Sequence, residues 1–222
     1  MAAPRPSVSK EVFLDAALAI ADEFGPDAVT TRSLGAALGL DSTTVYRYFG
    51  NKDVLLGSLF DHVVGQAFAE CAQLVGTPYE RIRAMVAAYR NAFFRHPNVA
   101  RLNSYMGDML AADLGRAPNT ARLSKLAIDA IRELGLTGRE LVLAYQMLET
   151  FTVGAILFES GAQSRGMSVR TLRYQALEAS DPESTTTVEV SDVVEMSERA
   201  FWNGIDRLMA SIEGLVGQAP PR

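Results

Sequence analysis

Between Ser42 and Tyr48 the chain reads Ser-Thr-Thr-Val-Tyr-Arg-Tyr, five hydroxyl groups and one guanidinium around a single valine. Such a set is suited to binding. Short hydroxyl side chains let a backbone come close to a polar surface, and their oxygens and methyls can meet base edges, including thymine methyls. The phenols of Tyr46 and Tyr48 can donate to phosphate or sugar oxygens. Arg47 can hold either a guanine edge or a phosphate with two N–H groups, and its target stays open. This is the chemistry of reading DNA, provided the segment is a helix that enters the major groove by its N-terminal turn.

The flanking residues supply the elements such a reader needs. Thr31–Leu38 and Ser42–Tyr48 read as two short helices, with Gly39 able to take the positive φ of a tight turn between them. Gly35 or Ala36 is small enough for a close crossing, and Leu34, Leu38, Leu40 and Val45 form an apolar skeleton. Upstream, Ser9 is a plausible N-cap for a first helix carrying Phe13, Ala17, Ile20 and Phe24 on one face, ended by Gly25-Pro26. Downstream, Asn51 caps a long helix that starts at Lys52. Thr31 and Lys52 thus begin helices, where free amides and the positive dipole end favour phosphate.

Thr30-Thr31-Arg32-Ser33-Leu34 and Ser42-Thr43-Thr44-Val45-Tyr46-Arg47-Tyr48-Phe49-Gly50-Asn51-Lys52 together resemble the TetR family of bacterial repressors. The Tyr-x-Tyr-Phe-x-Asn-Lys ending is the specific part. The resemblance is strong over residues 9 to 60 and weaker at Phe151-Thr152-Val153-Gly154 and Ala200-Phe201-Trp202-Asn203-Gly204. It implies DNA contacts at Thr31, Arg32, Ser42, Thr43, Thr44, Tyr46, Tyr48 and Lys52. It also implies a homodimer on a double-stranded palindromic operator, a small-molecule effector and a ligand cavity among the later helices. Tetracycline repressors hold their drug through magnesium, histidines and a glutamate. Here Phe68, Asn103 and Phe158 (next to Glu159) fall at those positions, and His62 and His96 are the chain's two histidines. No metal and no cofactor is therefore expected.

Beyond Thr77 the pattern predicts helices at about 77–95, 98–113, 119–134, 138–163 and 191–215, with a long loop over 163–192. No strand run stands out. The fold class is all-α: an N-terminal domain, 1–56, with the helix-turn-helix, and a C-terminal helical domain, 57–222, for ligand binding and dimerisation. Leu141, Ala144, Leu148, Phe151, Ala155 and Phe158 recur at spacings of 3 and 4, and Phe201, Ile205, Leu208 and Ile212 repeat the pattern. Such stripes pack one helix along another. Two helices from each subunit give a four-helix dimer interface, expected at Leu141, Leu148, Phe151, Ala155, Phe201, Ile205, Leu208 and Ile212. The middle of the chain is rich in aromatic and methionine side chains, adaptable linings for a cavity. The expected ligand-binding set is Phe68, Tyr89, Phe93, Asn103, Tyr105, Met106, Met109, Gln146, Met147 and Phe151, with Glu149 a further polar partner, for a mainly apolar effector.

Composition narrows the classes further. Hydrophobic residues make up 48% of 222, enough for a core. No continuous apolar run reaches the roughly 20 residues of a membrane span. The start lacks the apolar segment of a signal peptide, and one cysteine, Cys71, forms no internal disulfide, so the cytoplasm is expected. The net charge is −5, and residues 1–56 hold five basic and seven acidic side chains. Bulk charge thus opposes DNA binding, but Arg5, Arg32, Arg47 and Lys52 sit at the DNA-facing points. Gly-rich phosphate loops, histidine pairs at metal spacing and Gly-x-Ser-x-Gly turns are absent, which argues against an enzyme. The other reading that remains is a DNA-binding dimer governed by a protein partner without a small ligand.

Overall fold

A computed structural model describes residues 9–103, 117–163 and 190–216, and these residues are helical with no strand. In order they form α1 (Lys10–Phe24), a 3-10 turn (Pro26–Ala28), α2 (Thr31–Leu38), α3 (Ser42–Phe49), α4 (Lys52–Cys71), α5 (Pro78–Arg95) and the short α6 (Pro97–Ala100). Then come α7 (Pro118–Glu133), α8 (Gly138–Gln163) and α9 (Val190–Val216). The all-α architecture is as expected. The expected helix over 98–113 is represented by α6 alone, residues 104–116 lying outside the described residues together with most of the expected 163–192 loop.

Local chemistry starts most of these helices. Ser9 and Asn51 cap α1 and α4, each accepting from the amide three residues on. Thr30 and Ser33 form a reciprocal capping box at α2, and Thr77 with Glu80 forms another at α5. The chain turns into α3 through Gly39, in the left-handed region at φ 65°.

Phe13, Leu34, Val45 and Phe49 make the centre of the small three-helix unit, all 2% exposed or less. Helix α1 buries Phe13, Leu14, Ala17, Leu18 and Ala21, but Phe24 is 66% exposed, against expectation. The chain turns at Gly25 (φ 85°) and sends Pro26, not Phe24, into the core. Helix α4 then crosses the expected domain boundary at 56 and 57 without a break. It packs α1 and α3 at its start, and α5 and α7 along its length.

The body is built outward from α4. Helices α5, α7 and α8 pack against one another, and α9 lies along α8. Tyr79 Oη donates to Asp206 Oδ1 at 2.7 Å, and Arg83 pairs with Asp206 while its guanidinium stands over Trp202 at 4.2 Å, pinning α9 to α5. One sequence expectation is corrected in α8: residues 138–160 are long and apolar enough to cross a membrane by length and composition. Gln146 and Glu149 interrupt any continuous run, which hid the helix-long average. Ala144, Leu148, Thr152, Ile156 and Ser160 face the protomer interior, yet only 22% of the apolar window is buried there.

Candidate nucleic-acid interface and interior cavity

On α3 the buried positions are Val45 and Phe49, so Ser42, Thr43, Tyr46 and Arg47 point outward on the opposite side. Arg32, Ser42, Thr43, Tyr46, Arg47, Tyr48 and Lys52 are exposed; Thr31 and Thr44 are partly so. All nine residues expected to meet DNA therefore lie on or at the edge of the surface. Tyr46 is 59% exposed, whereas Tyr48 lays its ring 4.7 Å from that of Phe13 and keeps its edge in solvent. Lys52 Nζ donates to the Asp27 carbonyl at 3.1 Å, closing the three-helix unit on itself and leaving further N–H groups outward.

The crossing of α2 and α3 depends on Gly35. A Cβ there would stand 2.7 Å from the Leu40 carbonyl oxygen and 3.3 Å from the Ser42 amide, both backbone atoms that cannot swing aside. Asp41 was not among the expected site residues, although Asp before a short helix is a start signal. Its carboxylate accepts from Thr43 N at 2.7 Å, and that bonding holds its pKa below the usual carboxylate value. The α3 N-terminus is thus rigid before any partner arrives.

A cavity of about 110 Å³ lies between α4, α5, α7 and α8. Its lining includes Val64, Ile82, Met85, Tyr89, Leu123, Ser124, Tyr145, Leu148, Glu149, Thr152 and Val153. Of the expected ligand-binding residues, Tyr89 lines it, and Asn103 accepts from the Tyr89 hydroxyl at 3.1 Å. Phe93 is fully buried between Phe60 and Tyr89 and belongs to the core. Phe68 is partly buried beneath the Arg122 guanidinium. Helix α8 presents 145, 148, 149, 152 and 153 to the cavity. The helical turn therefore sends Gln146, Met147 and Phe151 elsewhere, and Phe151 stacks on Phe201 at 5.7 Å. Tyr105, Met106 and Met109 lie outside the described residues.

Polar groups inside the cavity are partly consumed. Tyr145 Oη lies 2.9 Å from Ser124 Oγ and 3.2 Å from Glu149 Oε1. Burial pushes the Tyr145 phenol up to about 12, and burial raises Tyr89 as well. The hydroxyl of Thr152 is buried and has no hydrogen-bond partner among the described residues.

Asp61, which no motif in the sequence singles out, joins α7 to α4 beside this cavity. Helix α7 begins after Ala117, which has no side-chain oxygen to cap it. The buried Asp61 carboxylate takes that role from α4, accepting from Thr120 N (2.8 Å), Thr120 Oγ1 (2.9 Å), Asn119 Nδ2 (3.1 Å) and Asn119 N (3.3 Å). Gly65, one turn further, permits the approach: its Cβ would meet Asn119 Nδ2 at 2.8 Å. The two histidines tie the body to α1. His62 Nε2 lies 3.0 Å from Asp15 Oδ1, and His96 Nδ1 lies 2.8 Å from Asp22 Oδ2. Asn98 adds a bond to the Asp22 carbonyl.

The residues expected at the dimer interface divide. Phe201, Ile205 and Ile212 are buried within a single protomer, and Leu148 is spent on its core and cavity. They turn inward because α9 packs along α8 of its own chain, and a Cβ at Gly204 would stand 2.2 Å from the Phe151 ring. Leu141, Phe151, Ala155 and Leu208 are partly exposed, and Val142, Leu143 and Phe158 are exposed.

Comparison with known proteins gives this geometry its family. Residues 13–59 match the model of bacterial regulatory proteins of the tetR family, and residues 75–216 match the tetracyclin repressor-like C-terminal domain. The chain is 24% identical over 213 residues to the class D tetracycline repressor of Escherichia coli, covering 93% of this chain and 89% of that one. It is 27% identical over 165 residues to the transcriptional repressor DrrR1 of Streptomyces coeruleorubidus, covering 73% of this chain but 58% of that relative's length. Its fold resembles that of ActR from Streptomyces coelicolor, solved in complex with actinorhodin, with TM-score 0.73, 21% identity, and 97% and 100% of the two chains covered. The second matched region alone spans more than half of the sequence, and the chain belongs to the TetR family of DNA-binding transcriptional regulators.

Proposed function

We propose that the protein is a cytoplasmic homodimeric repressor that holds a palindromic operator through α3 and releases it when a small, mainly apolar molecule fills the interior cavity. The observation that carries this reading is the path from cavity to groove. Helix α7 lines the cavity, Asp61 fastens α7 to α4, and only Gly50 and Asn51 separate α3 from α4. A ligand that repacks Leu123, Ser124 or Tyr145 pulls on α4 through that carboxylate. Repressors among the relatives and an actinorhodin-bound neighbour are consistent with it.

DNA contacts are assigned to Thr31, Arg32, Ser42, Thr43, Thr44, Tyr46, Arg47, Tyr48 and Lys52. The dimer face is assigned to an apolar side of α8 that is exposed or partly exposed in the protomer, Leu143, Met147, Gly154 and Phe158, with Leu141, Ala155 and the outer edge of α9. Two linked recognition helices must meet two grooves about 34–36 Å apart, or a multiple, so a small change in their separation costs affinity. The ligand can shift binding only by its differential affinity for the two conformations.

Operator selection from random DNA, followed by salt-dependent binding, tests the assignment. Tyr46→Ala with Lys52→Ala should weaken binding to every sequence at least tenfold and lower the salt slope by about one for the lost lysine contact. Thr43→Ala should change base preference instead. Unchanged operator affinity in the double variant at moderate salt would remove this face. Phe158→Arg should give monomers in sedimentation, and a persistent dimer would move the interface.

A further inference from the structure

The cavity's polar groups are arranged unevenly, and the imbalance specifies charge. Its two phenols have their hydrogens committed, Tyr145 to Ser124 and Glu149, and Tyr89 to Asn103. Both stay neutral, since burial raises their pKa values far above physiological pH. What remains for a ligand is the Glu149 carboxylate, which only accepts, and the Ser124 and partnerless Thr152 hydroxyls, which can accept or donate. Among the described lining residues Glu149 carries the one formal charge, and no lysine or arginine answers it. Glu149 is also exposed, so it stands at the mouth while Val64, Ile82, Met85 and Leu123 form the floor.

Resting on the reading of this cavity as the effector site, we propose that its ligand is an organic cation: an apolar amine whose ring or chain enters between α5, α7 and α8 and whose ammonium pairs with Glu149 at the rim. An ammonium brings only donors, matching the Glu149 carboxylate, and the hydroxyls of Ser124 and Thr152 can turn their oxygens to it. A carboxylate ligand would face Glu149 with no cation among the described lining residues, and partial desolvation would sharpen that repulsion. Volume sets the size. A cavity of about 150 Å³ accepts benzene, so the 110 Å³ here admits about one ring or a short branched chain, with the head group outside.

Three probes of one size separate the possibilities: benzylamine, benzyl alcohol and benzoate, titrated against the full chain with NMR signals of Tyr145 and Thr152 as readout. Benzylamine should bind at least tenfold tighter than benzyl alcohol, and benzoate should bind weakest. Glu149→Gln keeps an acceptor for Tyr145 and sits at an exposed position. It should weaken benzylamine about tenfold while leaving benzyl alcohol unchanged. Benzoate or benzyl alcohol matching benzylamine, or a Glu149→Gln variant with undiminished benzylamine affinity, would overturn the charge assignment and leave the effector cavity standing. If none of the three moves either signal at millimolar concentration, the effector cavity itself falls, and the charge assignment with it.

Discussion

The three-helix unit and the body solve opposite problems with similar materials. In the unit, function sits on side chains that protrude, and the scaffold beneath them is set by contacts a few residues apart: Ser33 to Thr30, Thr43 to Asp41, Val54 to Asn51. In the body, the proposed effector site is an interior cavity, and the bonds around it join distant segments: Asp61 to Thr120, Tyr79 to Asp206, Arg90 to Glu159. A reader of DNA gains from a surface already set before binding, so local rigidity serves it. Filling a cavity moves its lining, and such a change would meet α4 directly at Val64 and, from α7, through the Asp61 carboxylate. The contrast predicts where each region breaks.

The sharpest break should come at Gly35. Valine there forces a Cβ against the Leu40 carbonyl and the Ser42 amide, backbone atoms at the turn itself. The cost should approach about 3 kcal/mol, the upper end for overpacking. So small a unit has little stability to lose. Gly35→Val should abolish operator binding while sedimentation and far-ultraviolet circular dichroism show the body intact. Gly204→Val is the matched change in the body, where the obstacle is the Phe151 ring rather than backbone. It should loosen α8 from α9 and lower the melting temperature. Equal loss of DNA binding in both variants would erase the distinction between the regions.

Next in size is Asp61→Ala. Hydrogen bonds to a charged acceptor contribute about 1.5–3 kcal/mol each, and four converge here, but they share one carboxylate and do not add. A loss of about 3 kcal/mol in urea unfolding is expected. Asp61→Asn should recover part of it, since an amide oxygen still accepts from Thr120. Beyond stability, either change should reduce the factor by which an effector weakens operator binding, because α7 is then less firmly joined to α4. By reciprocity the factor by which operator weakens the effector must fall equally. Full coupling in a folded Asp61→Asn variant would place the route elsewhere, the His96–Asp22 and Asn98–Asp22 contacts being the next physical connection.

This division also explains what the sequence made legible. The helix-turn-helix announces itself because its rules are local: a turn glycine, a small residue at the crossing, a cap, a tyrosine-rich end. All nine residues expected from those features to meet DNA lie on or at the edge of the surface. Asp41 and Thr30 belong to the same local code, each capping the helix that starts at the next residue. The body obeys rules with no short spacing. An aspartate on α4 that caps a helix 58 residues later looks, in sequence, like one more charge on a helix. The expected ligand set drew on residue type, and type alone does not say which turn of α8 faces inward; the five residues that do are offset from Gln146, Met147 and Phe151 by a rotation. The stripe through Phe201, Ile205 and Ile212 was correctly apolar, but a seam reads the same whether it meets its own chain or a second copy. Only burial within one protomer separates the two.

The smallest effect expected is at the far end of α4 and tests whether the body's interior is dry there. Cys71 is buried, and burial, with the Glu70 charge adding to it, pushes its thiol up to about 11. A thiolate is the reactive form, so at pH 8 the native thiol should react with a disulfide reagent far more slowly than the urea-unfolded chain. The same shift makes a stability claim. Below pH 9 the thiol is protonated whether the chain is folded or not, and its contribution is fully present. Between pH 9 and 11 the unfolded chain loses this proton first, so the folded state binds more protons and stability falls as pH rises. Cys71→Ala should therefore flatten the decline of melting temperature across that window, after subtraction of its constant packing loss. The phenol of Tyr145, raised to about 12, should leave a second decline above pH 10 that Tyr145→Phe removes. Native Cys71 that reacts as fast as unfolded chain at pH 8 would mean that water reaches the end of α4, and the helix proposed to carry the signal would be open where the structure shows it closed.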